Sequence, residues 1–410
     1  MYPILFRVPL PGGDSLPIYS YGAMLGLSLV VGWYLTLWLG EKEGLPRDRM
    51  ANNYIITAVV AVLVSRVLYV VTNPEEFNSA VDLISMTKGG VVAYGGFIGG
   101  FLASWGYVKW KKMRLLPWGD VAVPSLASGL AITRIGCYLF GCDFGTRLEA
   151  TAPGWLQRMG TFPHWEGGTA PSGDGSPAWA HHVDEKWIGF DSTHSLPVHP
   201  TQLYESLAGL GLLALLFWAK RRQRFRGQIL FLFVFAYGVC RFFIEMLRDD
   251  PERGTVPPAL SPHVLIPLCL ALLAAGYGAS FARMVGAPML RKVSQVVAFI
   301  PAVAMYALLK PESFAHVTPL ALSTSQFIGM TSGLAACAAF FVYDKAALAH
   351  PESAMRLDFP QEREGEEGDD EGRGDDEKTP EPKAPQKSSS GKKTRKRNKA
   401  KKPSKRDDDA

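Results

Sequence analysis

Residues 120–145 read DVAVPSLASGLAITRIGCYLFGCDFG: an apolar run of membrane-crossing length that carries Arg134 inside it and ends in glycines, Cys137, Cys142 and Asp143. An arginine at the centre of a membrane helix costs about 2.5–3.5 kcal/mol on insertion scales and is a functional candidate by default. The same anomaly recurs at Arg66 and Arg241.

Outward from this stretch, further apolar runs of about 18–25 residues lie near 18–40, 52–72, 89–108, 118–140, 200–219, 228–248, 263–282, 293–309 and 322–343. They predict an all-α polytopic membrane protein of about nine transmembrane helices. The composition agrees: 48% of residues are hydrophobic, and many of the 20% that are charged gather in a C-terminal tail. The first run is too long, and too poor in preceding basic residues, for a cleaved signal peptide, so it is expected to stay as a helix. Cys137, Cys142, Cys240, Cys269 and Cys337 lie in or beside apolar runs with no zinc-type spacing, and plain packing is their expected role. A Cys137–Cys142 disulfide is the alternative if the pair faces an oxidising compartment.

Lys and Arg collect in alternate loops: Lys42, Arg47 and Arg49; Lys109 to Arg114; Lys220 to Arg226; and Arg283, Arg291 and Lys292. Those loops are predicted to be cytoplasmic, with the N-terminus outside and the C-terminus inside. At 1.5 Å per residue, Arg134, Arg66 and Arg241 then lie about 24, 21 and 20 Å from the inner ends of their helices. Tyr21 and Tyr94 fall in the first turns of helices that begin outside. Five polar residues in the outer half of the bilayer call for an anion at that depth, and a phospholipid phosphate is the obvious one, since arginine pairs two of its oxygens at once. The alternative is that each arginine is an ion-pair partner of Asp120, Glu205 or Glu245. His199-Pro200-Thr201-Gln202-Leu203-Tyr204-Glu205 adds polar groups at the outer interface, and Arg241 and Glu245, four apart, share a helix face.

In their order along the chain, Tyr21-Gly22, Arg66 with Tyr69, Gly89 to Gly96, Asp120 to Gly145, His199 to Glu205, Tyr237 to Arg248 and Leu322-Ser323-Thr324-Ser325-Gln326 resemble the bacterial prolipoprotein diacylglyceryl transferases. Tyr94 stands where that family usually has histidine, and Cys137 and Cys142 replace signature residues, which resembles a branch of the family with Tyr and Cys at these places. The Leu-Ser-x-Ser-Gln helix comes late, displaced by about two extra helices over 261–310. The resemblance implies transfer of the diacylglyceryl group of phosphatidylglycerol to the lipobox cysteine of a prolipoprotein at the outer face of the inner membrane, with no metal or cofactor. It implies Arg134, Arg241, Tyr94, Glu245 and His199 as catalytic candidates. It implies Tyr21, Arg66, Gly95, Gly96, Asp120, Gly136, Gly145, Gln202, Tyr204, Glu205 and Tyr237 as substrate-binding candidates.

Two rival classes remain: a silent relative that binds lipid or signal peptides, motivated by Tyr94 and Cys137, and a transporter. No repeat of halves is evident, and the polar residues gather in one half of the membrane, which weighs against transport. The body is expected over 1–349, with a periplasmic insertion at 146–198 capping the lipid site. His164, His181, His182, His194, Asp184 and Asp191 of that insertion match no standard ligand spacing. Residues 350–410, acidic then basic from Lys392 to Arg406, are expected to be a disordered cytoplasmic tail. Its partners would be solvent or anionic lipid, and nucleic acid is not expected.

Overall fold

A computed structural model describes residues 2–9, 15–76, 92–165, 175–249, 254–309 and 319–357. Gly89 to Val91 and the tail beyond residue 357 lie outside these. The chain divides into a body over Met1–Pro360 and a second unit over Gln361–Ala410.

The body is helical. After an antiparallel hairpin of β1 (Ile4–Pro9) and β2 (Ser15–Tyr19) come α1 (Ser20–Lys42), α2 (Arg47–Thr72), α3 (Ala93–Trp110) and α4 (Leu115–Phe140). Short helices α5 (Gly154–Met159) and α6 (Pro177–Asp184) belong to the insertion. Then follow α7 (Thr201–Lys220), α8 (Gln228–Glu245), β3 (Thr255–Leu260), α9 (Pro262–Ala279), α10 (Pro288–Ala298), α11 (Ile300–Leu308), β4 (Leu320–Ser323), α12 (Thr324–Ala349) and α13 (Pro351–Ala354). The two short ribbons, β1–β2 and β3–β4, were not expected from the apolar pattern.

Among the described residues seven helices are long and apolar enough to cross a membrane: α1, α2, α4, α7, α8, α9 and α12. Two of the nine expected runs fall outside that set. The 18-residue α3 is long enough, but its glycines, aromatic rings and Lys109 lower its mean hydropathy. The run at 293–309 is not one helix: Pro301 has no N–H to donate and crowds the preceding turn, so α10 ends at Ala298 and the nine-residue α11 starts anew.

Helices pack as α1 on α4, α2 on α3, α4 on α7 and α8 on α12. Small residues permit backbone approach, as is common between membrane helices. A Cβ on Gly238 of α8 would lie 2.3 Å from the Gly329 carbonyl of α12. The main core joins α7, α8, α9 and α12 through Leu216, Ile229, Phe242, Leu270 and Phe340. Rows of exposed apolar side chains such as Val59, Leu63, Val67, Phe97 and Phe101 cover the outside of α2 and α3, as lipid contact requires.

Asp120 does not join the arginines. It is fully buried near the start of α4, where its carboxylate accepts from the backbone N–H groups of Gly227 (2.6 Å), Ile229 (2.9 Å) and Leu230 (3.0 Å) and from Gln223 Nε2 (2.6 Å). Those N–H groups open α8 and have no partner within it. Asp120, expected among the substrate-binding residues, here caps the start of α8.

The loops rich in Lys and Arg meet at this same end. Glu43 pairs with Lys220 (2.9 Å) and Arg226, and Asp344 with Arg224 (2.8 Å) and Arg283 (3.4 Å). Residues 350–357 also dock here rather than beginning a free tail. The carbonyls of Ala354 and Met355 accept from the backbone N–H and Nε of Arg226, and that of Arg356 from Arg114. Any tail thus starts beyond residue 357, because these arginine donors find their acceptors in the segment expected to be loose.

Candidate active site

The opposite end of the bundle gathers the other arginines. Helix α4 stops at Gly141, whose φ of +90° lies in the left-handed region that favours glycine and turns the chain back over the helix end. The first turn of α7 clamps the turn that follows: Gln202 Nε2 donates to the Cys142 carbonyl (2.5 Å) and Thr201 Oγ1 to the Asp143 carbonyl (2.5 Å). At Gly145 a Cβ would sit 2.5 Å from the Leu247 carbonyl, so the turn is wedged between the start of α7 and the end of α8.

This wedge brings three arginines against three carboxylates. Arg134 Nε pairs with Glu205 and its Nη1 with Asp143. Arg241 reaches Glu205 (2.6 Å) and, one turn along α8, Glu245 (2.9 Å). Arg248 pairs with Asp143 and approaches Glu205 at 3.6 Å. Glu205, Glu245 and Arg248 are buried. Burial alone would raise the Asp143 carboxyl, but the guanidiniums of Arg134 and Arg248 hold it well below the usual carboxylate range. Of the two alternatives weighed for the arginines, the ion pairs with carboxylates are the one seen for Arg134 and Arg241. Each is paired, and two carboxylates are shared among three cations at one point.

The chain Tyr94–Ser325–Arg241 extends the cluster. Tyr94 Oη lies 3.0 Å from Ser325 Oγ, which accepts from Arg241 Nη2 at 3.2 Å. Ser325 is presented by a capping box at the start of α12, where Ser323 and Gln326 satisfy each other's backbone N–H groups. Tyr237 of α8 is within electrostatic reach of Arg241, Glu205, Arg134 and Tyr94, and Tyr21 of α1 is within reach of Cys137, Cys142, Arg134 and Asp143. Gly136 lets Tyr21 and Met24 of α1 approach α4; a Cβ there would lie 2.9 Å from Met24. Gly95 does the same for α3 against α2, where a Cβ would lie 2.7 Å from Ser65, whereas a Cβ on Gly96 would meet Ala61 only at 3.9 Å.

Others stand apart. Arg66 is buried on α2 with its guanidinium 5.7 Å from the Tyr69 ring. His199 Nδ1 lies 3.3 Å from Tyr204 Oη, and partial burial lowers its pKa, so it is neutral at pH near 7. The sequence reading left Asp143, Arg248 and Ser325 out of the site. Asp143 had a signal, being the acid that ends the deciding stretch, whereas Ser325 is 84 residues from Arg241 along the chain and only the fold joins them.

The insertion packs on the Gly141 turn through Phe144, Phe162, Ala178 and Val198, with Tyr138 against them. Its histidines take structural roles: His182 Nδ1 accepts from the Leu196 N–H (3.1 Å), His194 meets Thr193, and the His164 ring packs at a tilt against Trp179. Burial, with His181 beside it, lowers His182 to about 4. A lowered folded pKa means that stability is intact above the unfolded value of about 6.5 and is lost as pH falls toward the folded value. Limited proteolysis is expected to cut residues 175–198 faster at about pH 5 than at about pH 7, and His182→Gln should remove most of that difference.

Residues 4–307 match the family model described as "Prolipoprotein diacylglyceryl transferase". Similar proteins include phosphatidylglycerol--prolipoprotein diacylglyceryl transferase 2 of Clostridium perfringens (strain 13 / Type A), 31% identical over 251 residues, 61% of this chain and 86% of that protein. The phosphatidylglycerol--prolipoprotein diacylglyceryl transferase of Clostridium tetani is 29% identical over 256 residues, 62% and 88% of the two chains. That of Bacillus cytotoxicus is 28% identical over 249 residues, 60% and 83%. The matched family segment stops short of α12, which supplies Ser325.

Proposed function

The chain belongs to the prolipoprotein diacylglyceryl transferase family, and from that premise we propose that the arginine–carboxylate cluster moves the diacylglyceryl group of phosphatidylglycerol onto the lipobox cysteine thiol of a prolipoprotein. The observation that carries this reading is the sharing of Glu205 and Asp143 among Arg134, Arg241 and Arg248. A lipid phosphate, like a carboxylate, can offer a guanidinium two anionic oxygens at once. It enters by taking over guanidinium contacts now held by Glu205 and Asp143. Gln202 Oε1, buried with no hydrogen-bond partner among the described residues, is an acceptor for a headgroup hydroxyl.

The substrate sulfur attacks a glycerol carbon and the carbon–oxygen bond to phosphate breaks. The phosphate leaves with the electron pair as glycerol phosphate, carrying the thiol proton. Arg134 and Arg241 stabilise the charge that gathers on the departing oxygens. The same cations favour the thiolate form of the incoming cysteine, whose ordinary pKa is about 8.5. Tyr94, tied to Arg241 through Ser325, orients that field by a hydroxyl hydrogen bond. This multi-pass membrane protein would sit in the inner membrane with the cluster toward the outer leaflet. The support is the basic-loop rule together with the gathering of those loops at the other end of the bundle.

The test is transfer of labelled diacylglyceryl to a lipobox peptide in phosphatidylglycerol vesicles, from about pH 6 to about pH 9. Tyr94→Phe is expected to lose about tenfold or more, and His199→Ala little. A full rate in Tyr94→Phe, with a loss in His199→Ala that high pH does not restore, would make His199 the base. No turnover at all, with lipid still bound, would favour a silent lipid-binding relative.

A further inference from the structure

Cys137 and Cys142 are both free thiols, five residues apart across the Gly141 turn. The turn folds Cys142 back so that its sulfur lies 3.9 Å from the Cys137 carbonyl, and the two sulfurs and the nearest Asp143 oxygen all lie within 4.8 Å of one another. The same atoms touch the cluster: Arg134 Nη1 is 3.7 Å from the Cys137 sulfur, and Asp143 Oδ2 is 3.8 Å from that of Cys142. A metal ion is a poor occupant, because Asp143 already holds two guanidiniums that would repel a cation. A pair of thiols a small movement from bonding distance has another chemistry open to it.

We propose that Cys137 and Cys142 form a reversible dithiol–disulfide pair whose closure switches the adjacent arginine cluster off. The oxidant is a disulfide of the compartment, small or protein-borne. The half-buried Cys142, as thiolate, attacks one of its sulfurs and expels the other. Cys137, which is buried, then gives up its proton, attacks the Cys142 sulfur and expels the second thiol. Two protein thiols are oxidised, one external disulfide is reduced to two thiols, and both protons go to the leaving sulfurs. A hydrogen bond with Cys137 and then burial raise the Cys142 thiol. A thiol of raised pKa is seldom the attacking thiolate and is also a poor leaving group, so the bond closes slowly and opens only to a strong dithiol reductant.

Bonding needs a sulfur separation near 2.05 Å, which draws Cys142 and the neighbouring Asp143 toward the end of α4. Asp143 then leaves the position from which one carboxylate holds both Arg134 and Arg248. Misplacement by about 1 Å at a reacting centre costs up to about a hundredfold in rate. The activity arm of the proposal rests on the transferase reading, but the thiol arm does not.

The full chain in phosphatidylglycerol vesicles is treated with glutathione disulfide or with dithiothreitol, unfolded, alkylated and digested, and in parallel assayed for transfer. Glutathione disulfide should leave the peptide bearing both cysteines unalkylated and lighter by two hydrogens. It should lower turnover about tenfold or more, and dithiothreitol should restore it. The rate of Cys142→Ser, whatever its level, should not respond to either reagent. Cys240, Cys269 and Cys337 serve as internal alkylation controls. The proposal is overturned if both thiols remain alkylated after oxidant, if Cys142 stops at a mixed disulfide with glutathione, or if the bond closes and turnover does not change. A chain that never turns over but closes the bond overturns the transferase reading and the switching role, and leaves the thiol chemistry standing.

Discussion

Arg134→Ala and Arg241→Ala are each expected to lower diacylglyceryl transfer by about a hundredfold to a thousandfold, the range seen when one preorganised donor to a developing oxyanion is removed. The two arginines differ in what else they hold. Arg134 uses Nε for Glu205 and Nη1 for Asp143, so its loss strips both shared carboxylates of a partner. Arg241 leaves Glu245 and Ser325 as well as Glu205. Removing one member of a buried ion pair costs about 3–5 kcal/mol, because the remaining charge is uncompensated. A dead alanine variant is therefore informative only beside a folded control.

Arg134→Lys supplies that control. It keeps the positive charge and most of the fold, but one ammonium cannot reproduce two guanidinium contacts pointing in different directions. The expected result is a thermal midpoint near that of the wild type with transfer still reduced by about a hundredfold. Full activity in both alanine variants, with lipid transfer assayed in vesicles, would remove these residues from the chemistry.

Asp120→Ala should produce the opposite pattern, a large loss of stability with the rate per folded molecule unchanged. The buried carboxylate satisfies three backbone N–H groups at the start of α8 and the Gln223 amide. Each buried donor left without a partner costs about 1–3 kcal/mol, so the total is expected to reach about 3 kcal/mol or more. Fourteen residues of helix, about 21 Å, separate Asp120 from Arg134, too far for a lost cap at one end of α4 to reposition the other. Thermal unfolding in detergent and transfer normalised to folded protein measure the two quantities separately. A loss of rate in fully folded Asp120→Ala would put that residue back in the substrate site. Asp120→Asn keeps one acceptor and should fall between.

These two results separate residues that looked alike along the chain. Asp120 and Arg134 are both charged groups inside one apolar run, and the family resemblance placed both in the site. The class of protein, the long helices and the end of the bundle at which the basic loops gather were legible because each depends on local composition. An apolar run of membrane length must satisfy its own backbone as a helix, and Lys and Arg collect where chain crosses no bilayer. Arg134, Arg241, Glu205, Glu245 and Tyr94 were legible as anomalies, being polar groups whose burial needs a reason.

What the sequence left undecided is how those charges pair. Asp143 holds Arg134 and Arg248 because Gly141 turns the chain back over α4 and the start of α7 clamps it there. Ser325 joins Tyr94 to Arg241 because Gly238 and Gly329 let α8 and α12 touch. Residues 350–357 dock because Arg226 and Arg114 need carbonyl acceptors. Composition and periodicity thus determined that this chain spans a membrane as helices and carries buried cations. Which carboxylate meets which arginine was decided by tertiary structure, because pairing energies act over a few ångströms between residues far apart in the chain, and only close packing of the helices sets those distances.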